Sequence, residues 1–171
     1  MVIGVNIVDS NLKEWSFVFF DLGAKEAARR VRLLRGLRRV GAALRNQSVY
    51  CMPYSTGSFT SLKRLDKDIF VVKAAVEEDD IEELVEAYNM FIINVMEEVH
   101  AKLDALEDAK ASAVDVQTRR GYTKRLNKMY ERIDHLEYIA RLGQNSKVID
   151  TVEKFKLQIV EIDDGEPGKL I

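Results

Sequence analysis

One cysteine, Cys51, stands in the whole chain. No intramolecular disulfide can form, and a lone thiol fits a reducing, cytoplasmic setting. No apolar run approaches the roughly 20 residues needed to span a bilayer, so no membrane partner is expected. Met1 to Asn11 has no basic segment followed by an apolar one, which argues against a secretory signal. A P-loop, a glycine-rich dinucleotide fingerprint and a paired-cysteine zinc signature are all missing, and no cofactor is expected. Nor does charge of one sign prevail. Charged residues are 32% of the 171, yet the formal net charge is only -2. What matters is therefore how the charges are distributed. An apolar share of 47% is enough for a buried core.

Val2 to Val8 alternates Ile3, Val5 and Ile7 with smaller or polar positions and reads as an optional leading strand, ended by the turn Asp9, Ser10 and Asn11. Trp15 to Phe20 is aromatic and β-branched and predicts a strand packed on at least one face. From Lys25 to about Ala43 the spacing predicts an amphipathic helix. Ala27, Val31, Leu33, Leu34, Leu37, Val40 and Leu44 share one arc, with Lys25, Arg29, Arg32, Arg35 and Arg39 opposite. Arg30 projects into the apolar arc and needs a partner or a solvent outlet. Gly36 sits mid-helix at a propensity cost of about 1 kcal/mol relative to alanine and permits close approach to that face. Gly41 is the expected stop, although Ala42 to Leu44 would carry one more turn.

Ser48 to Met52 predicts a strand closed by Pro53, Tyr54 to Phe59 a loop, Phe59 to Leu65 a short helix, and Ile69 to Val72 a buried strand. This order points to an α+β core over residues 1–76, with helices on one face of an antiparallel-rich sheet. After Val76 the pattern changes. Ile81, Leu84, Tyr88, Ile92, Val95, Val99, Leu103 and Leu106 form the seam of one long helix, and Tyr122, Leu126, Met129, Ile133, Leu136 and Ala140 that of a second, ended by Gly143. Joined by Ala111 to Gln117, they read as a helical hairpin. A further helix, capped by Ser146, carries Val148, Ile149, Val152, Phe155 and Ile159. Residues 77–162 are thus a helical extension, and Asp163 to Ile171 a flexible tail.

Eight basic residues lie between Lys25 and Arg45, opposed there only by Glu26. Arg29, Arg32, Arg35 and Arg39 form a stripe whose guanidinium groups suit phosphate contacts, which makes nucleic acid the candidate partner. The competing reading is a solvated face, or one neutralised by the stretch Glu77 to Asp108, which holds twelve carboxylates against Lys102 alone. Lys124, Arg125, Lys128 and Arg132 form a second basic stripe under the same two readings. Cys51, inside a strand, reads as a buried, inert thiol, and Tyr50 as a packing residue. Glu97, His100 and Asp104 share a helix face that Glu131 and His135 would meet across the hairpin. A dimetal bundle needs two such Glu-x-x-His copies and only one is present, so exposed helix pairs are the default.

The block Arg30-Val31-Arg32-Leu33-Leu34-Arg35-Gly36-Leu37-Arg38-Arg39-Val40-Gly41-Ala42, followed by Val49-Tyr50-Cys51-Met52-Pro53, resembles the N-terminal domain of chromate-resistance regulators, with their "RVRxWRxLxxxGA" helix and "GVYxLP" strand. Val76, Asp79, Asp80 and Glu83 fit that family's following acidic step, with Ala75 in place of its arginine. Leu34 stands where the family has tryptophan, and Gln47-Ser48 replaces its glycine. No counterpart of the family's C-terminal sensor region is recognisable, so metal or oxyanion sensing is not carried over. Phe19-Phe20-Asp21-Leu22 with Gln47-Ser48-Val49-Tyr50 also resembles the small CRISPR-associated endonucleases. Both resemblances imply a ferredoxin-like antiparallel sheet that commonly forms a homodimer.

The first resemblance implies a non-enzymatic regulatory module of transcription-regulator type that binds DNA. The second implies a metal-dependent nuclease centred on Asp21, which would hold Mg²⁺ at the dimer axis with Asp9 as the one nearby acid. Against the metal role stands an ordinary one, a turn or N-cap in which the Asp21 carboxylate accepts free helix N–H groups. A third class is an oligomeric assembly protein with no ligand.

Overall fold

The structure, a computed structural model, describes residues 12–113 and 115–164; the leading-strand segment and most of the expected tail lie outside them. The described residues form two compact units. The first runs to Phe91 and includes Leu142–Gln144, and the second comprises Ile92–Arg141 and the residues from Asn145 onward.

In the first unit, strands β1 (Glu14–Phe19), β2 (Ala43–Asn46), β3 (Val49–Pro53) and β4 (Phe70–Ala75) alternate with helices α1 (Ala27–Val40) and α2 (Thr56–Lys63). The sheet order is β2-β3-β1-β4, and every neighbouring pair is antiparallel. Side chains of β1 alternate between faces. Ser16 and Val18 are wholly buried on one face, as are Met52 of β3, Leu37 of α1 and Leu62 of α2. On the other face Trp15 meets Tyr88 edge-on, ring centroids 5.9 Å apart. Tyr88 belongs to α3 (Glu78–Ala111), whose first turns, up to Phe91, are grouped with this unit.

The stop of α1 falls at Gly41 as expected, and the further turn through Ala42 to Leu44 does not form. The helix stops at Val40, because Gly41 takes up a left-handed φ of 96°. Its N–H and that of Ala42 close onto the Leu37 carbonyl, each at 3.0 Å, which satisfies the helix end and turns the chain away. Residues 43–46 therefore form β2, a strand not foreseen, joined to β3 through Gln47 and Ser48, with a register shift between Leu44 and Asn46. The buried arc is correspondingly narrow. Leu33 and Leu37 are its buried members, whereas Val31 is exposed and Leu44 lies off the helix. Gly36 behaves as expected: a Cβ there would lie 2.9 Å from Leu65 Cδ2, so the glycine makes room for Leu65.

In the second unit, the rest of α3 is followed by α4 (Val116–Leu142) and α5 (Ser146–Asp164). The seam residues are buried, including Val99, Leu103 and Leu106 of α3, Leu126, Ile133 and Leu136 of α4, and Val152, Phe155 and Ile159 of α5. Tyr122 donates its hydroxyl hydrogen to the Ile162 carbonyl at 3.3 Å. The α5 cap is Asn145, not Ser146: its Oδ1 accepts the Val148 N–H at 3.1 Å, two residues into the first turn. The helix also continues through Asp163, the expected first residue of the tail.

Gly41→Ala is expected to destabilise the protein by about 1–2 kcal/mol, since a left-handed residue with a Cβ carries that cost. A urea midpoint equal to that of the parent would show that the αL turn is not strained by a side chain.

Candidate nucleic-acid interface

The arginines of α1 divide by partner. Arg29 is enclosed by acids: its Nε and Nη2 take both oxygens of Asp66 in a fork, Nη1 donates to Glu26 at 2.8 Å, and Nη2 reaches Asp68 at 2.5 Å. The Arg29 hydrogen bonds, aided by the Asp68 backbone N–H, hold the Asp66 carboxyl down at about 2. Asp66 and Asp68 lie far along the chain, in the turn before β4, so the fork ties the start of α1 to that turn. Arg30 donates to the Leu22 carbonyl at 2.8 Å, the partner its position demanded. Arg45 pairs with Glu83 of α3.

Arg32, Arg35 and Arg39 differ. All three are exposed. Among the described residues none of them has an ion pair or a hydrogen bond to a side chain. Of the four arginines named from the sequence, these three stay together as an open cationic stripe and Arg29 is withdrawn into an ion-pair cluster.

Asp21 is exposed and makes no hydrogen bond to the helix start among the described residues. Its expected capping role is a correction. A 3-10 turn, Ala24–Glu26, intervenes before α1, with Gly23 at its N-cap, and the Glu26 Oε2 accepts the Gly23 N–H at 3.2 Å. The helix begins too far downstream for the Asp21 carboxylate to serve it. Asp9 lies outside the described residues. Among them, no cluster of three or more His, Cys, Asp or Glu side chains is placed to hold a metal. His100 instead stacks its ring on Phe155, centroids 5.8 Å apart.

The aromatic rings near α1 are engaged by their neighbours. Tyr50 stacks on Phe20 at 5.9 Å, and Tyr54 packs on Phe59 at 5.6 Å while Lys73 Nζ sits 4.1 Å from its ring centre. Cys51 is fully buried, and burial pushes its thiol up to about 11, as expected of an inert strand cysteine.

The second basic stripe is more pronounced than the sequence reading allowed. Between Val116 and Tyr130, α4 carries Arg119, Arg120, Lys124, Arg125 and Lys128 and no acid. Arg120, Lys124, Lys128 and Arg132 follow one another at four-residue steps, and each like-charged pair of that kind costs about 0.2–0.5 kcal/mol in a helix. All four are exposed, and among the described residues no carboxylate pairs with them or with Arg125. Elsewhere in this unit charges do pair: Glu137 holds Arg141 at 2.6 Å and Lys156 at 2.7 Å. Arg125, Lys128 and Arg132, with Lys102 of α3, border a groove of about 290 Å³ floored by Ala105, Leu106 and Met129.

Asp66→Asn is expected to loosen the Arg29 cluster and to lower stability at neutral pH. The Asp66 carboxyl titrates at about 2 rather than 3.8, so its contribution is complete above the ordinary value and lost as pH falls through the lowered one. Thermal melts of the variant should therefore depend less on pH than the parent's in that acid window. Parallel curves for the two would remove Asp66 from the account.

No protein-family model, curated protein or solved structure matches this chain.

Proposed function

We propose that the first unit is a ferredoxin-like module with a non-enzymatic, nucleic-acid-associated role, similar to the N-terminal domain of chromate-resistance regulators. The β-α-β-β-α-β order with strands β2-β3-β1-β4 supports the ferredoxin-like assignment. One observation carries the functional reading: Arg32, Arg35 and Arg39 stand exposed on one helix without a carboxylate partner among the described residues, although the chain is rich in acids. Guanidinium groups held on a rigid helix and left unneutralised are suited to the phosphate oxygens of a backbone, which they would contact without reading bases. On this reading the role is regulatory or architectural, whereas a metal-dependent nuclease centred on Asp21 would need a second acid beside that carboxylate.

Assembly is the second reading. Phe19 and Phe70 face each other across β1 and β4 and are 40% and 68% exposed, an apolar pair suited to a second copy of the sheet. Cytoplasmic residence and a homodimer accord with the lone thiol and this patch.

Replacing Arg32, Arg35 and Arg39 with alanine is expected to weaken nucleic-acid binding and to reduce the slope of log K against log salt by about 0.9 per lost duplex phosphate contact. Binding undiminished across the salt series would detach α1 from the function. Separately, Phe19→Ser with Phe70→Ser should shift the protein toward monomer in light scattering, and an unchanged mass would end the assembly reading.

A further inference from the structure

We infer that α4 carries a second track for the phosphate backbone of a duplex nucleic acid, separate from the stripe on α1. The inference rests on the nucleic-acid reading of the protein and adds to it a surface on the second unit. Its starting point is a cost. Arg120, Lys124, Lys128 and Arg132 repel one another along one helix face, and Arg119 stands in the first turn, where the helix dipole disfavours cations. Neighbouring charges in the same unit are neutralised in pairs, as Glu137 is by Arg141 and Lys156. Among the described residues, Arg120, Lys124, Arg125, Lys128 and Arg132 have no carboxylate partner.

The length of the track selects a polymer over a small anion. The helical rise from Arg120 to Arg132 is about 18 Å, which matches about five nucleotide steps of one strand at about 3.4 Å each. The form of the surface selects a duplex over a single strand. Single strands are held by aromatic platforms on which bases stack, and this stretch of α4 offers none: Tyr122 is buried, and the Tyr130 hydroxyl is bonded to Asp163 at 3.0 Å. The groove beside Arg125 and Arg132 has an apolar floor of Ala105, Leu106 and Met129, over which a phosphate contact is less screened by water than on an open face.

The test compares three proteins by fluorescence anisotropy over a salt series: the parent, R32Q/R35Q/R39Q on α1, and R125Q/K128Q/R132Q on α4. The probes are a labelled mixed-sequence duplex, its single strand and poly-glutamate. The α4 variant is expected to bind the duplex at least about tenfold more weakly, with a salt slope shallower by about 2.7 for three lost contacts. Its melting temperature should equal or exceed the parent's, because a repulsive ladder has been dismantled. Unchanged duplex binding by this variant overturns the second track, and if the α1 variant is weakened the α1 reading survives alone. Weakening confined to the α4 variant leaves the second track standing without the first. A parent that binds no duplex removes both. A lower melting temperature assigns these cations to the fold, and preference for the single strand or for poly-glutamate replaces the occupant; each of these also overturns the inference.

Discussion

The side chain of Tyr88 joins three parts of the first unit at once. Its ring lies edge-on against Trp15 of the sheet, and its hydroxyl donates to the Gly41 carbonyl at 3.1 Å, where α1 ends and β2 begins. A buried tyrosine needs a partner for its hydroxyl, and the left-handed turn at Gly41 presents a carbonyl that supplies one. The contact couples the start of α3 to the C-terminus of α1 and to the sheet.

Around that anchor, charge is handled in two ways. Where an acid can be brought to a base it is: Arg29 is enclosed by Glu26, Asp66 and Asp68, Arg45 by Glu83, and Lys73 by Glu14 at 2.8 Å. Exposed pairs of this sort contribute little singly, but the forked cluster at Arg29 fixes the geometry of the α1 start. Arg32, Arg35 and Arg39 of the same helix are left to solvent, and so are Arg120, Lys124, Arg125 and Lys128 of α4. Since the chain holds 28 acids against 26 bases, unpaired cations are not forced by composition. They reflect placement.

Much of the fold could be read from spacing. The seams of α3, α4 and α5 are local, periodic patterns, and Leu84, Tyr88, Leu103, Leu126, Ile133, Leu136, Val152 and Ile159 are buried as that periodicity requires. The strands β1 and β3 were marked by aromatic and β-branched runs. β2 was not, because Ala43-Leu44-Arg45-Asn46 has no strand-like composition and owes its conformation to pairing with β3. Asp21 misled for a related reason. Aspartate before a helix is a good cap signal, but the 3-10 turn that separates it from α1 leaves no mark in the sequence.

The sequence by itself determined the α+β class, the long helices and the presence of two basic stripes, because each is written within a few turns of chain. Tertiary structure decided which basic residues remain available. Locally Arg29 differs from Arg32, Arg35 and Arg39 only in having Glu26 three residues before it, and its other partners, Asp66 and Asp68, come from a turn 37 and 39 residues away. Electrostatic pairing depends on distance in space and falls off within a few ångströms in water. Only the folded chain brings those carboxylates to one guanidinium and leaves the others open.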